Sequence, residues 1–475
     1  MLTAQTLYSR ALRLRCVSAA AAAGSACGAE LFLVGGAVRD LLLGGSPADI
    51  DLLLAGDAPD LPERFACALT TSQPPNPAGS SDTGSPQQHL VTAPRRAAVR
   101  AEAASSAAVT RFGTLTVWHG GFRYDLARAR SEHYAQPGAL PEVAAACPQE
   151  DLRRRDFTVN ALALGLSGPR TGTLLTVPGA LSDLEAHRLA VIHGQSFIDD
   201  PTRLLRLARY RARLGFTVAP HTLALARAAI SGGALNTVSG QRTGNELRLL
   251  AQEPDPLAAF QAASELGLPW QLDSCLARRA LSVLPADGRR GLLVLACVFR
   301  TAAEPGLSSE LDRLGFTATA RAVIEQAVNQ ASDLHNKLLA ARSASQVASA
   351  AASACPETVA LAAALRDASD TGQAHAGRRP SAHPSDQLPD ADPSHAGAAP
   401  LYTADGNALR NAQLWFGDLR HRRLLISGTD LIAAGFTPGP AIGAALARAA
   451  AAMMDGAAND RDTQLQVALS GSLNR

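Results

Sequence analysis

At 475 residues, 47% of them hydrophobic, the chain is long enough for several domains of ~100–200 residues each and for a substantial core. Its 44 basic and 42 acidic residues leave a formal net charge of +2. That excludes a global field for polyanions, so any nucleic-acid surface must come from local clustering.

Residues 1–29 read as one helix. Arg10, Arg13 and Arg15 precede an alanine-rich run that is too short and weakly apolar for a secretion signal and leads straight into the first strand. LFLV (31–34) is a short apolar run ending in glycines, hence a buried strand. AVRDLLL (37–43) has helical spacing and is stopped by Gly44-Gly45-Ser46-Pro47. ADIDLLL (48–54) reads as a second strand whose alternation puts Asp49 and Asp51 on one face. Two carboxylates that close repel each other, and the simplest compensation is a divalent cation. Gly35 and Gly36, at a strand-to-helix turn, let backbone N–H groups approach an anion. Metal carboxylates beside a phosphate cradle point to nucleotidyl transfer.

This stretch, GGAVRD…DID, resembles the GG-x-VRD…D-x-D signature of the class II tRNA nucleotidyltransferase and poly(A) polymerase family. The resemblance implies an α+β protein: a nucleotidyltransferase head with a mixed β-sheet and helices, followed by an all-helical neck, body and tail. It assigns Gly35, Gly36 and Arg39 to the triphosphate, and Asp49 and Asp51 to Mg²⁺.

After a helix-like segment at 58–70, residues 71–106 form a Pro/Ser/Gly-rich insertion, mostly disordered, with a fragment of strand or helix near 90–103. Its arginines 95, 96 and 100 read as a solvated loop. Residues 111–130 form a hairpin about His119-Gly120-Gly121. Asp125, on its second strand, stands where the family carries a third carboxylate; an ordinary strand aspartate is the competing reading. The next segment, 131–143, contains Pro137, Gly138 and Pro141 and reads as a loop without regular structure.

An arginine run ahead of an amphipathic helix, as in EDLRRRDFTVNALAL (150–164), is ordinarily a solvated helix start. RRDFTVNA, however, resembles the family's second motif. That implies Arg154 and Arg155 at the triphosphate, Asp156 orienting them or a ribose hydroxyl, and Asn160 at a sugar or backbone group. Where relatives carry an aspartate-containing turn this chain has Thr176-Val177-Pro178-Gly179-Ala180, although Asp183 and Arg188 keep the later spacing.

In DDPTRLLRLARYRARLGF (199–216), Asp200 and Arg203 lie three apart and so on one helical face. A carboxylate accepts hydrogen bonds and a guanidinium donates them. Cytosine and adenine each offer an amine beside a ring acceptor, whereas uracil and guanine put an N–H at that ring position beside a carbonyl. The family's matching Asp and Arg are assigned this selection; an i,i+3 surface ion pair is the plain alternative. Arg206, Arg209, Arg211 and Arg213 continue the helix toward a triphosphate, an acceptor stem or solvent.

Ser239, Arg242 and Glu246 read as helix capping and ion pairing. Amphipathic helices fill residues 254–367, and 368–402 is a disordered linker. The tail stretch LLISGTDLIAAGFTPGPAIGAAL (424–446) resembles a family signature; contact with an RNA backbone and a tight helix-packing turn explain it equally. The implied domains are a head at 1–166, neck at 167–273, body at 274–367 and tail at 403–475. The implied partners are tRNA, CTP and ATP, with Mg²⁺ as cofactor.

Seven cysteines without C-x-x-C or ligand spacing suit a cytoplasmic protein, and no apolar segment is long enough to span a bilayer. The sequence leaves the oligomeric state open. It also leaves open whether CCA, CC or A is added, a poly(A) polymerase, and a catalytically silent RNA-binding relative.

Overall fold

The computed structural model describes residues 2–47, 49–56, 58–71, 107–109, 114–300, 306–365 and 408–470. The expected fragment at 90–103, the arginines at 95, 96 and 100, and the linker at 368–402 lie outside them. The chain divides into two compact units, Met1–Ser239 and Gly240–Arg475, a boundary that falls at neither 166 nor 273.

The N-terminus forms two helices where one was expected, α1 (Ala4–Leu12) and α2 (Arg15–Ala26). Thr3 caps α1 through its hydroxyl, and Leu14, extended at φ −77° and ψ 119°, separates the pair. The first strand, β1 (Glu30–Val34), runs into α3 (Gly36–Leu42), β2 (Ile50–Ala55) and α4 (Leu61–Thr71). Next come β3 (Ala107–Val109), β4 (Leu115–His119) and β5 (Phe122–Arg128). The turn between β4 and β5 is Gly120-Gly121, with φ of 59° and 82°; two successive left-handed residues make the tight hairpin that glycine permits.

The expected loop at 131–143 is regular at both ends. β6 (Arg130–His133) pairs antiparallel with β7 (Glu142–Ala145), and Pro137 and Pro141 lie in the connection, where neither removes a ladder hydrogen bond. The residues from Thr158 to Ala161 form only one 3-10 turn (Thr158–Asn160) and no α-helix. α5 (Pro148–Arg153) ends before them, and β8 (Leu162–Ser167) follows with all six residues buried. A continuous apolar run covered on both faces is what an interior strand requires.

With β9 (Leu174–Thr176) these strands make a mixed seven-stranded sheet in the order β3-β4-β5-β2-β1-β8-β9, so the sheet extends beyond residue 166. The β2–β5 pair is parallel and the other pairs are antiparallel. Leu115, Val117, Tyr124 and Leu126 point to the face covered by α2 and α4 and are buried; Thr116 and Asp125 alternate to the other face. The rest of this unit is α6 (Ala180–Glu185), β10 (Arg188–Leu189), α7 (Ser196–Asp199), α8 (Thr202–Leu214), β11 (Thr217–Val218) and α9 (Pro220–Ser231). The parallel β10–β11 pair means that the neck is not wholly helical.

The second unit is helical throughout its described residues, from α10 (Gly240–Ala251) to the last helix at Arg461–Ser470. A fully buried carboxylate, Glu357, accepts from the Arg289 backbone N–H at 2.6 Å and from its Nε and Nη2 at 3.0 and 2.8 Å. The tail signature is used for capping: Ser427 and Asp430 form a capping box on the helix Gly428–Ala433, and Pro440 opens the helix Pro440–Met454. No single helix among the described residues is long and apolar enough to cross a membrane.

Candidate active site

Strands β2 and β5 set the centre of the site. Their parallel register places Asp51 beside Asp125, on the sheet face opposite the buried Ile50, Leu52, Tyr124 and Leu126. Asp49 lies two residues before Asp51 in the bend entering β2 and is exposed. Burial pushes the Asp51 carboxyl above its ordinary value; Asp125 and Asp49 push the same way, opposed by the positive charge of Arg155 and Arg123. Asp125 accepts from Thr116 Oγ1 at 2.7 Å and pairs with Arg123 at 2.8 Å.

Hard carboxylate oxygens suit Mg²⁺, which is ordinarily held by one or two carboxylates with substrate phosphates rather than by an all-protein cage. Asp49 and Asp51 supply that donor set. Among the described residues no three His, Cys, Asp or Glu side chains form a ligand cage.

The glycine pair follows β1, the strand next to β2, with Gly35 as the N-cap of α3 and Gly36 its first residue. Gly35 has φ 68°, a conformation that favours glycine, and a Cβ there would stand 2.9 Å from Arg155 Nη1, so a side chain would displace the guanidinium. Arg39, on α3, is 4% exposed. It bonds Asp40 through Nε and Nη2 at 2.9 and 2.7 Å, and Asn160 Oδ1 through Nη1 at 2.6 Å. Asn160 Nδ2 donates to Asp156 Oδ1 at 3.1 Å, and Asp156 Oδ2 accepts from Arg206 Nε and Nη2 at 2.9 and 2.6 Å. One chain of hydrogen bonds thus joins the VRD turn, the RRD motif and α8. Burial opposes charge on Asp156, but Arg206, Asn160 and the Phe157 N–H more than offset it and hold the carboxyl below the usual range.

Arg154 and Arg155 are anchored from behind by a carboxylate that sequence reading did not single out. Asp151, fully buried, receives Arg154 Nε at 2.8 Å and Arg155 Nη2 at 3.1 Å. Arg154 also pairs with Glu132 at 2.7 Å, and Tyr134 Oη donates to Glu132 at 3.0 Å. Asp151 stands three and four residues before the two arginines on a predicted helix, a spacing that would have identified it. The contact of Glu132 with Arg154 carries no such local signal, because the two lie 22 residues apart.

The expected helical pair Asp200/Arg203 is built differently. Pro201 disfavours the α region for the residue before it, and Asp200 is extended at φ −134° and ψ 90°, outside α8. Its Oδ1 accepts from Thr202 N at 3.1 Å and Thr202 Oγ1 at 2.6 Å. Arg203, on the first turn of α8, is buried and donates to Ser196 Oγ and the Arg154 carbonyl, both at 2.7 Å. Asp200 and Arg203 both act electrostatically on Tyr134, whose hydroxyl is pushed up first by burial and then by Glu132. Farther along α8, the guanidinium carbons of Arg206, Arg209 and Arg213 lie 5.4, 5.2 and 5.9 Å from the Tyr210 ring centroid, and that of Arg39 lies at 5.8 Å. Four guanidiniums thus gather around one ring, although Arg39 and Arg209 are buried and Arg206 is paired with Asp156. Asp183, which keeps its spacing to Arg188, accepts from Thr158 Oγ1 at 2.8 Å and from Arg188 Nη2 at 2.7 Å.

Comparison with known proteins places these elements. The Poly A polymerase head domain matches residues 31–78 and 92–190. The chain is 30% identical over 436 residues to a CC-adding tRNA nucleotidyltransferase from Deinococcus radiodurans, covering 92% of this chain and 87% of that protein. It is 35% identical over 243 residues to an A-adding tRNA nucleotidyltransferase from Geobacter sulfurreducens, covering 50% of this chain but only 23% of that protein. An apo CCA-adding enzyme structure shares the fold with a TM-score of 0.69 at 22% identity, over 99% of both chains.

Proposed function

Because the chain belongs to the tRNA nucleotidyltransferase family, we propose that it adds C and A nucleotides, as CCA or part of it, to the 3′ end of tRNA without a template, using CTP and ATP. The observation that carries this reading is the in-register Asp51–Asp125 pair with Asp49 beside it, on a sheet face lined by Arg123 and backed by Arg155. Asp49 and Asp51 would hold Mg²⁺, with Asp125 at the edge of that set. The bound ion supplies charge neutralisation at the leaving pyrophosphate and a lowered pKa for the attacking 3′-hydroxyl.

The protein's own groups do the rest. Arg155, restrained by Asp151 and fitted against Gly35, offers a fixed positive charge to the triphosphate. Gly36 and Arg39 on α3, Arg154 just after α5 and Arg209 on α8 are assigned to the same triphosphate. Asp156 and Asn160, locked into one hydrogen-bond chain, orient the ribose and sugar edge. Asp200 and Arg203 read the base: Arg203 commits two donors to Ser196 and Arg154, which fixes the plane of its fork, while Thr202 orients the Asp200 carboxyl. Rigid placement of donor and acceptor is what distinguishes C and A from U and G.

A second reading, addition of CC alone, is favoured by the near end-to-end alignment with the Deinococcus protein. Asp49→Ala tests the shared chemistry. Losing a charge-stabilising ion costs several kcal/mol, so transfer should fall roughly 10³-fold while tRNA binding stays close to wild type. Activity that survives the change overturns the metal assignment.

A further inference from the structure

The hairpin tip carries an exposed aromatic that the chemistry above does not use. Trp118 is 51% exposed, in a sheet whose opposite face buries its neighbours Val117 and Tyr124. Register fixes its orientation. Trp118 is paired with Arg123, and Thr116 with Asp125, across β4 and β5; Asp125 is in turn paired with Asp51. Register partners point to the same face of a sheet, so Trp118, Arg123, Asp125 and Asp51 share the open face, with the Trp118–Arg123 rung two residues along the strands from the rung of Thr116, Asp125 and Asp51. Trp118 lies two residues along β4 from Thr116, the register partner of Asp125, or about 7 Å at the usual rise per residue. That is comparable to one nucleotide's step along an extended single strand. The Arg123 side chain beside it is half exposed.

We propose that Trp118 is a stacking platform for a base of the RNA acceptor strand next to its 3′ terminus, with Arg123 facing the adjoining phosphodiester. This rests on the transferase reading above. The occupant is argued from position and charge. A flat exposed ring lies one rung along the same face from the carboxylates at which a 3′-hydroxyl must sit, and a guanidinium beside the ring suits the phosphate that follows each base. Stacking accepts any base, which suits an acceptor whose terminal nucleotide changes as the chain grows.

The test compares wild type, Trp118→Ala and Trp118→Phe in the full chain, using tRNA lacking its 3′ end. Two readouts are taken: Kd for the tRNA by fluorescence anisotropy without nucleotide, and steady-state KM for tRNA and for CTP. The alanine variant should weaken tRNA Kd and KM on the order of tenfold and leave KM for CTP unchanged. The phenylalanine variant, which keeps a ring, should recover most of the loss. Unchanged tRNA affinity in Trp118→Ala, or an equal shift in KM for CTP, overturns the platform while leaving the transferase reading intact. A wild-type protein that transfers no nucleotide overturns the transferase reading instead, and the anisotropy comparison still decides the platform.

Discussion

Burial holds the Asp51 carboxyl above its ordinary value, with Asp125 and Asp49 pushing the same way against Arg155 and Arg123. A raised carboxyl pKa contributes stability that is present below the unfolded value and lost as pH rises through the folded value. Without divalent ions, Asp51→Asn should therefore melt above wild type at pH 7, and the gap should close as pH falls toward the ordinary carboxylate range. Thermal unfolding across pH checks this; a variant that melts lower at pH 7 contradicts it. The same substitution should abolish transfer, separating the function of the charge from its effect on the fold. Arg155 shows the opposite balance. Its guanidinium is held by Asp151 and packed where any side chain on Gly35 would intrude, so its place follows from the backbone as much as from its own charge.

At the scale of elements, the ion pair between Asp156 and Arg206 links the RRD motif to α8. Asp156 is held below the usual carboxylate range, so its contribution to stability is present above the unfolded pKa and lost as pH falls through the folded one. Arg206→Ala leaves that carboxylate buried without its bidentate partner. It should cost about 2 kcal/mol at neutral pH, less than for a fully buried pair because Arg206 is partly exposed. Denaturant midpoints at pH 7 and in acid check it: the difference between variant and wild type should shrink in acid, and a pH-independent loss contradicts the assignment.

The elements bearing this network were unequally legible in the sequence. LFLV, the D-x-D strand and the Gly-Gly hairpin follow from local pattern, since short apolar runs ended by glycines have few alternatives. NALAL was not legible as a strand, because only neighbours on both sides, β1 and β9, make an unbroken apolar run a strand rather than a helix. Asp200 was misplaced on a helix because three-residue spacing was weighed without the effect of Pro201 on the residue before it. Glu132 and Tyr134 meet Arg154 and the Asp200/Arg203 pair only through tertiary structure, which no spacing rule encodes.

Across the whole molecule, every residue assigned to nucleotide or metal lies within Met1–Ser239, while Gly240–Arg475 is helical and its tail signature serves as caps. With a net charge of only +2, recognition of a polyanion has to come from clusters such as the guanidiniums around Tyr210. On the proposed function, this first unit selects C and A for the 3′ end of tRNA. The most direct test incubates the full chain and Mg²⁺ with tRNA lacking its 3′ end, offers CTP, ATP, UTP and GTP singly and together, and sequences the products. The account predicts extension by C, by A or by both in CCA order, and none by U or G. No extension with CTP or ATP, or incorporation of U or G at comparable rates, would contradict it.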